Sequence, residues 1–351
     1  MMEAIRTTTM QGALDKLIGG GHLTRAEAGD VMRLIMDGAA TPAQIAGVAT
    51  ALRMKGETID EISGFAETMR GFSRRVETVQ EGLLDTCGTG GSGIHKFNIS
   101  TASSIIAAAS GVRVAKHGNR AMSGKAGSAD VLEALGVSIS LDERQAAACL
   151  QEIGICFMFA QLYHPSLRHA AAPRRELGVR TIFNMLGPLA NPAGADRQLL
   201  GLYDRARTET VASVLHTLGL KRALVVSSHD GLDEISISAA TTVSELGEDG
   251  QVRTYDLTPE EMGIRRQPLS AIQGGSPEDN AAIIRRIFAG TEDGAYRDIV
   301  LLNAGACIYT AGAALTLQGG VEAARHAVDS GAAGAKLEQL IQKTGELSHV
   351  S

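Results

Sequence analysis

From about residue 80 onward, short apolar runs alternate with amphipathic stretches that end in glycine. The runs are GLLDTC (82–87), VRVAK (112–116), VSIS (137–140), ICFMFA (155–160), QLLGLY (198–203) and RALVVSS (222–228), and each reads as a strand. Between them, STASSIIAAASG, SADVLEALG, DERQAAACLQEIG and RTETVASVLHTLG have helical spacing and a glycine stop. Such alternation implies a mainly parallel sheet with helices on its faces. Sheets of this kind bind ligands at the carboxyl ends of their strands. The segment TTVSELGEDGQVRTYDL (241–257) reads as a hairpin turning at Glu248-Asp249-Gly250, and the C-terminal third is helical again.

The first 75 residues have a different texture. Thr24/Glu27, Thr41/Gln44 and Thr58/Glu61 are three capping boxes spaced 17 residues apart. Pro42 stands at a first helical position, where its missing N–H costs little, and Gly38, Gly56 and Gly71 stand where helix stops are expected. The expected fold is therefore α/β: a small N-terminal helical domain (1–76) plus a larger domain with a mainly parallel central sheet flanked by helices (77–163 and 193–351). The helical, basic and then Gly/Pro-rich stretch at 164–192 interrupts the βα rhythm, and its pattern suits a return to the helical domain as one side of a cleft.

Apolar residues make up 44% of the 351, enough for a sizeable core, while the net charge of −6 argues against a nucleic-acid partner. Cys87, Cys149, Cys156 and Cys307 form no C-x-x-C pair and sit in apolar surroundings, as reduced core thiols do. With no signal-peptide core and no long apolar run, the expectation is a soluble cytoplasmic protein without membrane contact.

DTCGTGGSGIHKFNIST (85–101) contains G-x-G-x-x-G at Gly88, Gly90 and Gly93. A dinucleotide site needs a helix opening at the glycines and an acid at the end of the next strand. Here the helical pattern starts near Ser100 and the next strand ends in Lys116. An ATP loop needs G-K-[ST], which is absent. What remains is either a tight turn or an amide-lined anion nest, with Ser100 and Thr101 capping a helix whose N-terminus adds partial positive charge. Asn98 and Ser100 add polar side chains.

KHGNRAMSGKAGSAD (116–130) follows the second strand and brings Lys116, His117, Arg120 and Lys125 together with Asn119, Ser123 and Ser128. Ser128 reads as a helix N-cap. A basic loop interleaved with glycine and serine, beside another glycine loop, suits a polyanion better than bulk solvent. In SSHDGLDEIS (227–236), Asp233 and Glu234 follow a strand end. Alone, the pair reads as a surface turn. Beside two phosphate loops, it suits one Mg²⁺ or two, with Ser100 offering a hydroxyl from across the cleft. A ligand with phosphate at two ends, such as a phosphoribosyl diphosphate, fits this charge pattern.

At these residues the chain resembles the anthranilate phosphoribosyltransferase family. GTGG…FNIST, KHGNR…SGKAGSADVLEALG, YHPSLRHAAAPRRELGVRTIFNMLGPLANP and DGLDE occur in the family's order over nearly the whole length. The resemblance implies Mg²⁺-dependent transfer of phosphoribose from phosphoribosyl diphosphate to anthranilate in tryptophan biosynthesis, by a homodimer joined through the helical domain. It assigns the diphosphate and ribose to Gly88, Gly91, Ser92, Lys96, Asn98, Ile99, Ser100 and Thr101. From the second loop it adds Lys116, His117, Gly118, Asn119, Arg120, Ala121, Met122, Ser123, Gly124 and Ser128. Asn119 and Arg174 would contact anthranilate, with Gly88, His117 and Tyr163 nearby. Two Mg²⁺ per site would be held by Ser100, Asp233 and Glu234. His117 is either a proton acceptor or a structural imidazole.

Two positions depart from the family pattern. Ser92 stands where an acid is usual, and Lys96 where threonine is usual. Both make the loop more positive, so both are expected to favour direct phosphate contact and weaken accessory metal binding. The rival readings are a pyrimidine nucleoside phosphorylase and a non-catalytic relative that grips nucleic acid. The acidic balance and the retained Asp233-Glu234 pair speak against the second, and KHGNR, Arg174 and the acidic pair against the first.

Overall fold

The computed structural model describes residues 8–91, 93–121 and 125–349. Four helices come first: α1 (Met10–Ile18), α2 (Arg25–Met36), α3 (Pro42–Lys55) and α4 (Ile59–Gly71). All three threonine boxes form. The amides of Glu27, Gln44 and Glu61 donate to the threonine hydroxyls at 3.3, 3.3 and 3.2 Å, and the threonine amides donate back at 2.8, 2.9 and 2.8 Å. Gly56 caps α3, and Gly38 lies just past the α2 cap, Asp37. Gly71 is not a stop; it is the last helical residue of α4, which Phe72 caps.

The sheet region runs β1 (Leu83–Gly88), α5 (Ile99–Ala109), β2 (Arg113–Gly118), α6 (Ser128–Leu135), α7 (Glu143–Ile153), β3 (Ile155–Phe159), α8 (Ala160–Tyr163), α9 (Arg168–Leu177), α10 (Phe183–Leu189), β4 (Arg197–Gly201), α11 (Thr208–Thr217) and β5 (Arg222–Ser228). A hairpin of β6 (Thr241–Leu246) and β7 (Val252–Leu257) follows, then α12 (Pro277–Phe288), α13 (Ala295–Thr310), α14 (Leu317–Asp329) and α15 (Ala332–Ser348). The hairpin turns where the sequence indicates, closed by the Gly247 amide donating to Gln251 O at 3.0 Å.

One expected strand is missing. Residues 137–140 form an extended link between α6 and α7, and the Ser138 amide donates to Thr344 Oγ1 on α15 at 3.1 Å instead of to a neighbouring strand. Val137 and Ile139 are buried as a strand's residues would be, which is why the pattern misleads.

The strand order is β3-β2-β1-β4-β5-β6-β7. The first five strands pair in parallel, and β6 and β7 add antiparallel at one edge. Successive side chains of β4 and β5 face opposite sides, as strand geometry requires. Leu199, Leu224 and Val226 join the core under α5 and α13, while Leu200, Ala223 and Val225 join the core under α11. That second core continues through Phe183 and Leu186 to Phe65 and Met69 of the N-terminal helices. The 164–192 stretch therefore folds back: α9 packs on α3, and α10 on α4.

The chain leaves β1 toward β2 and β3, then returns to β4 on the other side of β1. The crevice at the carboxyl ends of β1 and β4 lies at this reversal, where open parallel sheets bind ligands.

Candidate active site

Gly88 ends β1 directly opposite Gly201 at the end of β4. A Cβ on Gly201 would lie 2.0 Å from the Asp233 carbonyl oxygen, and one on Gly88 would lie 3.2 Å from Asp233 Oδ2. Two bare strand ends thus let the loop after β5 close onto the crevice and carry Asp233 and Glu234 into it. The sequence reading did not single out Gly201; a glycine inside an apolar strand run was the available signal.

Beyond Gly88, the Thr89 amide donates to Gly201 O at 2.9 Å. Gly90 and Gly91 follow with φ of 66° and 81°, a left-handed backbone that glycine adopts without strain. A Cβ on Gly91 would meet the Arg180 guanidinium at 2.7 Å, and that guanidinium stacks 4.1 Å from the Tyr203 ring centroid. Arg180, absent from the sequence-derived candidates, is a cation against the glycine loop. Ser92 lies outside the described residues, as do Met122, Ser123 and Gly124.

The Lys96 ammonium is engaged by the acidic loop. Nζ donates to Asp233 Oδ1 at 2.7 Å and to Glu234 Oε1 at 3.1 Å. Both acids are nearly inaccessible. Burial opposes the Lys96 charge, but the two carboxylates more than offset it and hold the ammonium above its ordinary value. Burial pushes the Glu234 carboxyl up, Asp233 adds to that, and Lys96 opposes it. Carboxylates with a hydroxyl such as that of Ser100 are the hard donors Mg²⁺ takes. The set fits such a cation in kind, with one oxygen of each acid already engaged by Lys96.

Helix α5 begins one residue earlier than read, at Ile99, with Asn98 at its N-cap and no side-chain cap. Ser100 and Thr101 therefore lie inside the first turn. Their amides precede the first ladder bond, from the Ala102 amide to Asn98 O at 3.1 Å, and remain donors at the positive end of the helix. Ile99 and Thr101 are buried. The Asn98 side chain is a strut: its amide donates to Ala126 O at 3.2 Å and its oxygen accepts from Asn280 at 2.9 Å. Lys116 is buried, and its ammonium donates to Thr86 O at 2.5 Å and Ser100 Oγ at 3.3 Å. It ties β1, α5 and β2 together at the strand ends. Asp85, also missed by the sequence reading, is fully buried below and accepts from the His117 amide at 3.1 Å.

In the second loop, Arg120 turns away from the crevice to α6, pairing with Asp130 at 2.8 Å and with Glu133 at 2.5 Å. Those two acids balance its charge. Gly127, not Ser128, is the N-cap of α6. Asp130 accepts from the amides of Ala121 at 3.0 Å and Gly127 at 2.8 Å, while Ser128 Oγ donates to Asn119 O at 3.3 Å. Gly118 is bare because a Cβ would lie 2.2 Å from Ser128 Oγ. Asn119 Oδ1 accepts from the Arg120 amide at 2.8 Å.

His117 is buried 5.1 Å from the His164 ring. Its Nδ1 lies 3.2 Å from Gly187 O, which makes Nδ1 the donor and leaves Nε2 as an unprotonated atom that meets no protein partner among the described residues. Burial, helped by His164, pushes its pKa down to about 3. Burial and the neighbouring ring thus favour the neutral imidazole.

Tyr163 is also corrected. It is 1% exposed in the core, and its hydroxyl donates to Leu141 O and Asp142 O at 2.9 and 3.0 Å. Nothing of it is left for a substrate. Arg174, near the end of α9, is half-buried beside the Phe183 ring, and among the described residues no carboxylate pairs with it. Burial holds its pKa below the ordinary arginine value. A desolvated planar fork without an acid suits an incoming carboxylate.

Two family models match the chain: "Glycosyl transferase family, helical bundle domain" over residues 11–73 and "Glycosyl transferase family, a/b domain" over 80–334. An anthranilate phosphoribosyltransferase of Brevibacillus brevis is 51% identical over 339 residues, 97% of this chain and 99% of its own length. One from Thermomicrobium roseum is 54% identical over 330 residues, 93% and 94% of the two chains. The solved anthranilate phosphoribosyltransferase of Thermus thermophilus superposes with a TM-score of 0.91 at 44% identity, covering 95% of this chain and 99% of its own. The Saccharomyces cerevisiae enzyme, solved in complex with PRPP and Mg, shares the fold with a TM-score of 0.86 at 24% identity, covering 96% and 98%.

Proposed function

The chain belongs to the anthranilate phosphoribosyltransferases, and we infer that its crevice transfers the 5-phosphoribosyl group from phosphoribosyl diphosphate to the amine of anthranilate. The products are N-(5-phosphoribosyl)anthranilate and pyrophosphate, in tryptophan biosynthesis. The observation that carries this reading is the convergence of an amide-lined glycine loop, an uncapped helix start and a buried acidic pair at the ends of β1, β4 and β5.

The chemistry follows from those parts. As the C1–O bond to pyrophosphate lengthens, negative charge grows on the leaving group and C1 gains oxocarbenium character. The amides of Gly90 and Gly91 and of Ser100 and Thr101 stabilise that charge without rearranging. Lys116 holds the two strand ends and Ser100 in register. Mg²⁺, bound through Ser100, Asp233 and Glu234, would neutralise the diphosphate and orient it. Arg174 grips the anthranilate carboxylate through its two-pronged face and holds the amine against C1. The aniline nitrogen is uncharged and attacks without a strong base. Its proton leaves afterward.

The residues 1–76 with 164–192 form the smaller domain in this reading, and 77–163 with 193–351 the larger. Self-association through the helical domain is supported by Ile18 and Met54, which are 74% and 84% exposed on α1 and α3. No helix among the described residues is long and apolar enough to cross a membrane, in keeping with a cytoplasmic enzyme. The test is direct: anthranilate fluorescence falls when phosphoribosyl diphosphate and Mg²⁺ are added. Phosphorolysis of thymidine or uridine without that fall would replace this reading with a nucleoside phosphorylase.

A further inference from the structure

We propose that Lys96 is a tethered cation that takes the place of one of the two divalent ions the family resemblance implies, so that this enzyme engages its diphosphate with one metal ion fewer. The proposal rests on the reading of Asp233 and Glu234 as the metal-binding acids.

Four observations carry it. The ammonium lies between the two acids, at 2.7 and 3.1 Å from one oxygen of each. A divalent ion bridging the same oxygens would have to expel it. The triad is also shielded: the Lys96, Asp233 and Glu234 side chains are 17%, 3% and 8% exposed. An expelled ammonium here would lose two charge-assisted bonds in a poorly solvated place, which costs far more than breaking a surface pair.

The backbone carrying Lys96 is held in place as well. The next residue, Phe97, is 1% exposed and meets Tyr296 edge-on at 5.2 Å, and its amide donates to Ile272 O at 3.4 Å. A Cβ on Gly274 would lie 2.5 Å from Lys96 O, so the chain passes over Lys96 with no slack. The ammonium is thus delivered by the fold.

Finally, an ammonium has three donors. Two go to the acids, and the third meets no protein acceptor among the described residues. It is the donor a diphosphate oxygen would take. An ammonium plus one divalent ion already carries more positive charge than two carboxylates neutralise, and a second ion would add only repulsion until substrate arrived. With threonine, the residue usual in the family at this position, that internal charge would be missing and a second ion would have room.

The experiment counts metal on the full-length protein, with Mn²⁺ as the probe. Free Mn²⁺ is followed by electron paramagnetic resonance with saturating inorganic pyrophosphate present, corrected for Mn²⁺–pyrophosphate in solution. The wild type binds one Mn²⁺ per chain. Lys96→Met, of similar length but uncharged, binds two, the second at least roughly tenfold tighter than any second ion on the wild type. Thermal melts give an independent readout. Lys96→Met melts lower than the wild type in chelator, and excess Mg²⁺ restores it by a larger shift than the wild type shows. Should Lys96→Met not fold, Lys96→Thr is judged by the same criteria. Two ions on the wild type, none at all, or an equal count on wild type and variant would overturn the proposal. Counting does not need turnover, so a failure of the proposed function would appear separately, as unchanged anthranilate fluorescence with the wild type.

Discussion

Lys96 Nζ lies 2.7 Å from Asp233 Oδ1, joining two loops that are 137 residues apart in the chain. That contact closes the glycine loop after β1 against the acidic loop after β5, and it makes the geometry of the acids depend on a residue of the opposite wall.

The closeness of β4 to the acidic loop makes Gly201 critical. In Gly201→Ala the new methyl would lie 2.0 Å from the Asp233 carbonyl oxygen, so the backbone must shift and carry Asp233 and Glu234 with it. Overpacking of this kind costs about 1–3 kcal/mol. The expected outcome is a lowered urea midpoint and a raised KM for phosphoribosyl diphosphate, at unchanged far-UV circular dichroism. Normal kinetics in this variant would disprove the close approach.

Arg174 carries the anthranilate carboxylate in the proposed reaction. A hydrogen bond to a charged group is worth about 1.5–3 kcal/mol, or roughly ten- to 150-fold in affinity. Arg174→Ala should therefore raise the KM for anthranilate by about that factor and leave the KM for the diphosphate nearly unchanged. Steady-state kinetics with each substrate varied in turn decide it, and equal effects on both would contradict the role.

Tyr163 should behave as a core residue. Tyr163→Phe leaves the carbonyls of Leu141 and Asp142 without their shared donor, for a loss on the order of 1 kcal/mol. Denaturant unfolding should register that loss, while the KM for anthranilate stays at the wild-type value. A raised KM without a stability change would return Tyr163 to the substrate site.

His117 and His164 predict how stability responds to acid. Burial lowers them to about 3 and about 4, so both are neutral in the folded protein at neutral pH. The unfolded chain protonates them near pH ~6.5. Below that value the unfolded state binds more protons than the folded one, so stability is fully present above about pH 6.5 and declines as the pH falls. The slope is at most about 1.4 kcal/mol per pH unit for each ring. Urea midpoints measured from pH 8 to 5 should fall along this curve, and His164→Gln should flatten it. Parallel curves for wild type and variant would remove the histidines as the cause.

Much of this protein was legible in its sequence because the governing interactions are local. A threonine box needs only residues three apart, and all three form. Parallel strands, the β6–β7 turn and the glycine-closed helices follow from periodicity and backbone freedom within short windows. Three larger misreadings share a cause: the deciding partner lies outside the local window. Val137 and Ile139 alternate like a strand, but Ser138 bonds to Thr344 on the last helix. Arg120 looks like an unpaired cation until α6 brings Asp130 and Glu133 to it. The hydroxyl of Tyr163 is spent on a loop some 20 residues earlier in the chain.

The sequence by itself determined the class of fold, the family, and which loops would meet at the strand ends. Only the tertiary structure decided what Lys96 does there. Its charge reads equally well as a phosphate contact until the fold places the two carboxylates within 2.7 and 3.1 Å of it. Which ion balances which is a matter of distance and burial, and neither is set by neighbours along the chain.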